Sequence, residues 1–484
     1  MSLVKVVQVP QRPVSLLEPV IGDARYRRLA RAADQVRRQL GGRAIWNVNS
    51  TATGGGVAEM LQVLVGYVTD LDIPIGWLVV TGDAEFFTIT KRLHNQIHGD
   101  AAGGPLGAAE DQHYTRMLAA NTVELLDRIR PGDIALLHDP QTAGLARPLA
   151  RVGARVVWRC HIGVDWENEA TRAAWQFLRP HLGGAERYVF SRREYVPSWL
   201  PADRVSIISP SIDPFSPKNQ DLDTATVRAI LATLGVLDGA GPRAPARFVR
   251  RDGDVDVVTR PAVVTADGRP GPEDPVLLQV SRWDRLKDMA GVMHAFADRV
   301  VPGGTGYLML AGPSVADVSD DPEGAAVYGE CLLQWRDLPP AARARIMLVT
   351  LPLDDIDENA AMVNALQRHA TVIAQKSLAE GFGLTVSEGM WKSRPVIGSA
   401  VGGIVAQIAG GTGILLPDPR DLAAFGQAAR FLLTDQAEAA RLGRAAHAHI
   451  LENYLGDTHL IRYAALLGTL TSGRPARDET TGLP

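Results

Sequence analysis

Cysteine is almost missing from this chain, with two residues, Cys160 and Cys331, in 484. Two thiols cannot supply a disulfide framework or a cysteine-based zinc site. Their scarcity fits a reducing compartment, with the cytoplasm as the default. An excess of one charge is missing as well: 50 Lys and Arg against 54 Asp and Glu leave a net −4, which offers no global attraction to nucleic acid. No stretch approaches the ~18 uncharged apolar residues of a membrane span. Met1 to Pro13, broken by Lys5, Pro10 and Pro13, does not read as a signal peptide. The basic residues from Arg25 to Arg38 are interrupted by Asp34 and follow Asp23, so they read as a solvated helix face rather than a membrane patch. There is no internal repeat, no G-x-G-x-x-G fingerprint and no Gly-Lys-Ser/Thr phosphate loop, which weakens dinucleotide and P-loop functions.

What remains is the composition of a soluble globular enzyme, 46% hydrophobic and 21% charged. At ~150 residues per domain the length suits two or three units, and two large domains fit best. After the Arg-rich helical stretch Asp23 to Leu40, short apolar runs at Ala44–Val48, Ile75–Val80, Ile134–Leu137, Val156–Trp158, Tyr188–Phe190 and Val205–Ile208 alternate with amphipathic segments. Such alternation predicts an α/β fold with a parallel sheet covered on both faces. The pattern stops over Leu237–Pro275, rich in Gly, Pro, Arg and Asp, which reads as a linker plus an insertion with a small hairpin around Val255–Thr265. It resumes at Val276–Val280, Tyr307–Leu310, Ile346–Val349, Val372–Ala374 and Val396–Ile397. The expected organisation is a Rossmann-like domain over 1–212, a linker, helix and insertion over 213–275, a second Rossmann-like domain over 276–450, a helix over 451–471 returning to the first domain, and a disordered tail over 472–484. The two doubly wound domains are expected to face each other across a cleft, with ligands beyond the carboxyl ends of the strands.

Chemistry concentrates in a few segments. Glu380-Gly381-Phe382-Gly383-Leu384-Thr385-Val386-Ser387-Glu388 sets two carboxylates around glycines at what reads as a loop entering a helix. Glycine lets a ligand approach the backbone, and the first amides of a helix can receive a phosphate. The same string also fits a capping box, in which Glu388 returns to the backbone of Thr385. Arg282 and Lys287 follow the strand Val276–Val280, where two fixed cations suit a departing diphosphate and two solvated surface residues are the bland alternative. Gly54-Gly55-Gly56 after Ala44–Val48 is a phosphate-compatible turn, or simply a tight strand-to-helix connection. His138 and His161 stand at strand ends and are either site residues or structural hydrogen-bonding groups. The acidic pairs Asp254/Asp256 and Asp355/Asp357 have D-x-D spacing, but one lies in the insertion and the other beside a loop, so they are discounted as metal ligands.

Together these motifs resemble the retaining GT-B glycosyltransferases. Within that group the strings N-V-N-S-T-A-T-G-G-G-V-A-E, F-F-T-I-T-K-R-L-H-N, H-D-P-Q, W-R-C-H-I, P-S-I-D-P and E-G-M-W-K are similar to those of the glycosyltransferring trehalose synthases and retaining trehalose phosphorylases. The resemblance runs from about Arg43 to Tyr463 and is weakest over the insertion. It implies that the first domain takes the acceptor and the second the nucleotide sugar. Glu380 would hold donor-sugar hydroxyls, the backbone of Gly381, Phe382, Gly383, Leu384 and Thr385 would approach sugar and phosphate, and Glu388 would bind the ribose. Gly55 and Gly56 would belong to the donor side. Arg282 and Lys287 would neutralise the diphosphate, and His161 would contact the donor sugar near its reacting face. Asn49, Glu59, His138 and Asp139 become acceptor-side candidates. Val405-Ala406 stands where many members of the wider group carry Pro-Glu, which removes an acid from that position. The implied reaction is reversible transfer of glucose from a nucleoside diphosphate to glucose, giving trehalose with retention. The rivals are a trehalose phosphorylase using phosphate or glucose 1-phosphate, and a non-catalytic sugar-nucleotide-binding regulator. No cofactor or metal is expected. Partners are limited to the nucleotide sugar, glucose and trehalose, without nucleic acid or stable membrane association, and a homodimer is left open.

Overall fold

The computed structural model describes residues 2–53, 55–101, 103–239, 244–315 and 322–472. Gly54 and the tail from 473 onward therefore lie outside the described residues. The chain forms two compact units, Met1–Ser211 together with the stretch from Gly456, and Ile212–Leu455. The segment 213–275, read from sequence as a linker and insertion, groups with the second unit.

In the first unit β1 (Val4–Val6), β2 (Ile45–Asn49), β3 (Ile75–Val80), β4 (Ile134–His138), β5 (Arg155–Cys160), β6 (Arg187–Phe190) and β7 (Val205–Ile207) form one sheet. Its order is β1-β3-β2-β4-β5-β6-β7. All neighbours are parallel except β1, which runs antiparallel along β3. Parallel strands covered on both faces need apolar side chains at consecutive positions, and every residue of β4 is buried. The winding runs from β2 outward to β3, then returns across β2 to β4. The carboxyl ends of β2 and β4 are thus the switch point at which doubly wound sheets take ligands.

The Arg-rich helix is Asp23–Leu40, with Leu29, Ala33, Val36 and Leu40 buried and Gly41 closing it in the left-handed conformation. Two of its arginines are tied down as follows: Arg27 pairs with Asp23 at 2.6 Å, and Arg25 with the buried Asp457 through Nε at 3.0 Å and Nη2 at 2.8 Å. The helix Gly456–Ser472 lies against it. Leu466 and Leu470 of that helix are buried, so the end of the chain completes the core of the unit formed by its beginning.

In the second unit β8 (Arg247–Val249) and β9 (Val255–Val257) form a separate antiparallel ribbon. The main sheet contains β10 (Val263–Thr265), β11 (Val276–Val280), β12 (Tyr307–Pro313), β13 (Ile346–Leu351), β14 (Val372–Gln375), β15 (Val396–Ser399) and β16 (Gly413–Leu416). Its order is β10-β13-β12-β11-β14-β15-β16, with β10 antiparallel at the edge. Here the switch point lies between β11 and β14. The expected hairpin over Val255–Thr265 is not formed. β9 pairs back to β8 through a turn in which Arg250 N–H donates to Asp254 O at 2.8 Å and Gly253 adopts φ +98°, while β10 pairs forward with β13. The hairpin signal was Asp252-Gly253, and Pro261, which has no N–H to donate, lies between β9 and β10.

Three of the four residues in the two acidic pairs, Asp256, Asp355 and Asp357, are held by arginines of this ribbon. Arg250 bonds Asp256 at 2.7 Å and Asp355 at 2.8 and 3.0 Å, and Arg251 bonds Asp357 at 2.6 Å. Asp355 also caps the helix Ile356–His369 through the amides of Asp357 and Glu358. The pairs thus anchor the ribbon to a helix start.

Because Leu470 is 1% exposed, Leu470→Ala should destabilise the first unit by about 2–5 kcal/mol. A melting transition unchanged from the parent would show that the terminal helix contributes no core.

Candidate functional site

At the first switch point, polar side chains converge toward the carboxyl ends of β2, β4 and β5. Asn47 Oδ1 lies 3.1 Å from His138 Nε2, and His138 Nδ1 lies 2.9 Å from His161 Nε2. The two imidazoles are stacked with centroids 5.3 Å apart. Asp139 accepts the amide N–H of His161 at 2.7 Å through Oδ1. Its backbone takes φ 63° and ψ 177°, a region that costs a non-glycine residue about 1–3 kcal/mol. Neighbours hold that conformation: Asp139 N–H donates to Arg159 O at 2.8 Å, and Asp139 O accepts from Trp158 Nε1 at 3.1 Å.

Behind the pair of histidines sits the wholly buried guanidinium of Arg159. It donates to Tyr463 Oη, to Ile208 O at 3.1 Å and to His459 Nε2 at 3.4 Å. His459 Nδ1 in turn lies 3.0 Å from Ser209 O, so His459 carries its proton on Nδ1 and accepts on Nε2. Burial lowers the pKa of His138 to about 3 and that of His161 well below the usual range, and Arg159 adds to both shifts. Burial raises Asp139 to about 7, against the opposing pull of the His161 amide and Arg159.

The acceptor-side candidates separate on these grounds. His138 is 1% exposed with both ring nitrogens engaged, so its ring supports His161 and has no free nitrogen of its own. Asn49 is buried too: its Oδ1 accepts from Trp77 Nε1 at 2.7 Å and its Nδ2 donates to Thr51 O at 2.7 Å, which shapes the loop after β2. Gly55 (φ +82°) caps the helix Gly56–Asp70, and Glu59 in its first turn is exposed.

At the second switch point Glu380 Oε2 receives three donors: Lys287 Nζ at 2.6 Å, Ser377 Oγ at 3.0 Å and Gln375 Nε2 at 3.2 Å. Lys287 arrives from the chain beyond β11 and the others from the chain at and beyond β14. Gln279 ties the two segments, donating to Lys287 O at 2.7 Å and accepting from Lys376 N at 3.3 Å. Arg282 is 64% exposed, and its ionic partner among the described residues is Asp284 at 3.1 Å. The structure therefore joins Lys287 to Glu380 and leaves Arg282 at the surface.

Gly383, at φ 80° and ψ 61°, caps the helix Leu384–Trp391. Leu384 and Thr385 thus bring first-turn amides, which a helix start leaves without intrahelical acceptors. Gln407 fixes the loop in front of that helix, donating to Phe382 O at 2.5 Å and to Gly383 O at 3.3 Å. Glu388 is the fifth residue of the helix, so the capping-box reading fails: the helix begins before Thr385. Its Oε1 lies 3.7 Å from Lys218 Nζ. One turn on, the buried Lys392 Nζ donates to Gln367 Oε1 at 2.8 Å, Asn219 Oδ1 at 3.0 Å and Glu388 O at 3.1 Å. Burial pushes its pKa down to about 7, and the Glu388 carboxylate opposes that shift.

Residues not singled out from sequence are those that hold the others: Asn47, Arg159, His459 and Tyr463 in one unit, Gln375, Ser377, Lys218, Lys392 and Gln407 in the other. One local signal existed, an arginine between Trp158 and Cys160 inside an apolar strand, where a buried charge demands partners.

Residues 47–197 match the family described as "Trehalose synthase, N-terminal domain", and residues 357–449 match "Glycosyl transferases group 1". The chain is 32% identical over 465 residues to a trehalose synthase of Pyrococcus horikoshii, covering 95% of this chain and 97% of that one. It is 23% identical over 474 residues to a trehalose phosphorylase of Grifola frondosa, covering 92% of this chain and 60% of that one. Among solved structures, an α,α-trehalose-phosphate synthase (UDP-forming) from Burkholderia vietnamiensis aligns with a TM-score of 0.65 at 14% identity, covering 89% of this chain and all of that one. That last likeness speaks for the fold, two Rossmann-like sheets of the GT-B type.

The depressed pKa of His138 makes a pH prediction. The unfolded chain takes up a proton near pH 6.5 that the folded unit refuses until about pH 3, so this group's contribution to stability is lost as pH falls through that window. His138→Gln should therefore lose less thermal stability than the parent between pH 6.5 and 4. Equal acid sensitivity in parallel melting series would mean that His138 is charged in the folded protein.

Proposed function

The chain belongs to the trehalose synthase family of group 1 glycosyltransferases, and on that premise we propose that it transfers glucose from a nucleoside diphosphate to the anomeric hydroxyl of free glucose, with retention and reversibly, to give trehalose. The observation that carries the reading is the grip on Glu380 at the second switch point, one turn of chain ahead of the helix Leu384–Trp391. A carboxylate locked by three donors is rigid enough to orient sugar hydroxyls. The adjoining helix start and Lys287 supply positive potential for a diphosphate.

As the glycosidic bond breaks, negative charge grows on the leaving diphosphate. Lys287 can share its ammonium between Glu380 and that charge, and Arg282, on a surface segment close in sequence, can turn from Asp284 toward it. Retention by a carboxylate nucleophile would need two displacements. The reaction implied by the family resemblance instead has the acceptor attack on the face from which the diphosphate leaves, its proton passing to a phosphate oxygen. On the acceptor side, Asp139 and Glu59 are the acids that remain for sugar hydroxyls once His138 and Asn49 are assigned to supporting contacts. A cytoplasmic location is part of the proposal. Among the described residues no helix is long and apolar enough to cross a membrane.

The primary test is incubation of the purified protein with glucose and each of several nucleoside diphosphate glucoses, or with glucose 1-phosphate, followed by identification of the disaccharide and of the released group. Trehalose with a nucleoside diphosphate supports the reading. Trehalose and inorganic phosphate from glucose 1-phosphate, with no transfer from nucleotide donors, transfers the assignment to the phosphorylase.

Lys287→Ala should lower turnover on the order of 10²-fold, and adding Glu380→Gln should cost much less than the sum of the single effects, because the two side chains share one ion pair. Additive losses would separate them. Glu388→Ala should weaken nucleoside diphosphate binding by about 10- to 100-fold if its carboxylate accepts both ribose hydroxyls. A stability loss with unchanged nucleotide affinity would confine Glu388 to its ion pair with Lys218.

A further inference from the structure

We propose that Asn47 and His138 are positioning residues that fix His161 in a single tautomer, with its proton on Nε2 and the lone pair of Nδ1 offered to a hydroxyl of the donor sugar. The inference rests on the glucosyl-transfer reading, which supplies the sugar.

The chain of hydrogen bonds sets the direction of every proton in it. An amide oxygen can only accept, so the contact of Asn47 Oδ1 with His138 Nε2 at 3.1 Å requires the proton on that nitrogen. A neutral imidazole has one N–H, which makes His138 Nδ1 an acceptor. Its partner at 2.9 Å, His161 Nε2, must then be the donor, and His161 Nδ1 is left with a lone pair. No hydrogen bond among the described residues engages that Nδ1, and His161, unlike His138, is partly exposed. Both ends of the residue are fixed, because the Asp139 carboxylate holds its backbone amide at 2.7 Å. Burial and the Arg159 cation facing the pair disfavour a second proton; His459 is committed to Ser209 and Arg159, and the carboxyl of Asp139, itself pushed toward its neutral form, offers little charge to attract one.

The tautomer matters to a glycosyl transfer. The sugar ring gathers positive charge as the bond to the diphosphate breaks. A hydroxyl that donates to a lone pair keeps its oxygen electron-rich and supports that charge, whereas a hydroxyl that accepts an N–H loses electron density to the ring nitrogen. Asn47, at the start of the relay, is buried and lines an apolar cavity of about 80 Å³ together with Ile45, Leu136 and Val157, so a leucine of similar size can occupy its place.

The test uses the full-length protein labelled with 15N at histidine, its His161 ring signals identified by their loss in His161→Gln. In the ligand-free parent the expected pattern is a protonated Nε2 and a bare Nδ1. Asn47→Leu should scramble that pattern and lower kcat/KM for the sugar nucleotide about tenfold, the scale of one lost hydrogen bond. Asn47→Asp keeps an acceptor against His138 Nε2 and should restore both. A parent His161 carrying its proton on Nδ1, or two protons at neutral pH, overturns the proposal. So does an Asn47→Leu protein with the parent's ring signals or the parent's rate. If the parent transfers no glucose, the activity reading and the sugar half of the proposal fall together, while the ring signals still decide the tautomer.

Discussion

Each sheet of this protein reverses its winding once, and that reversal dictates where its chemistry can be. Parallel strands buried on both faces gather their ligand-facing polar groups where the covering helices diverge, at the carboxyl ends flanking the switch point. In the first unit those ends carry Asn49, His138 and Asp139, and in the second Gln375, Ser377 and the turn reached by Lys287. A site at such an edge pays for its exposure with backbone groups left unpaired by the ending strands. Both switch points answer in the same way, with side chains that bond across to the next strand's loop: Asp139 to the His161 amide, Gln279 to the Lys376 amide and the Lys287 carbonyl.

Much of this was legible in the sequence because it is local. Strands such as Ile75–Val80 and Val276–Val280 are bounded where their apolar runs are bounded, and the helix Asp23–Leu40 ends on the glycine that a left-handed cap requires. The pairing of Lys287 with Glu380 is less local, yet both lie in motifs whose chemistry already pointed to one ligand. Illegible parts depend on partners far along the chain. β1 and β10 are three-residue edge strands that exist because Val80 and Thr350 have an unpaired side to offer, which no three-residue pattern reveals. Glu388 shows the opposite failure: a local pattern, Thr385 to Glu388, matched a capping box, but Gly383 takes the cap and starts the helix earlier, so the match was coincidental.

Arg159 is the clearest case of long-range dependence. Its partners include His459, 300 residues away, on a helix that sequence alone could assign to the first unit only by analogy. A buried guanidinium is tolerable when its donors are met, since an unpaired buried charge costs several kcal/mol. The terminal helix therefore closes the apolar core and also supplies Tyr463 and His459 to that cation, so core packing and the electrostatics behind His161 are coupled through one element.

That coupling explains why the strained residue is Asp139. The buried cation sits on β5, two residues before His161 and beside His138 on β4, and it helps keep both rings neutral. With neutral rings the hydrogen bonds between strands can be directional, but direction is useful only if the last ring cannot rotate. Asp139 fixes the backbone from which that ring extends, and it does so from a conformation outside the extended region. The roughly 1–3 kcal/mol of that conformation is recovered from Trp158, Thr142 and the Arg159 carbonyl, each bonded to the backbone of Asp139. Strain at this residue is thus the local cost of fixing the His161 backbone at the edge of a rigid sheet, while His138 holds the ring.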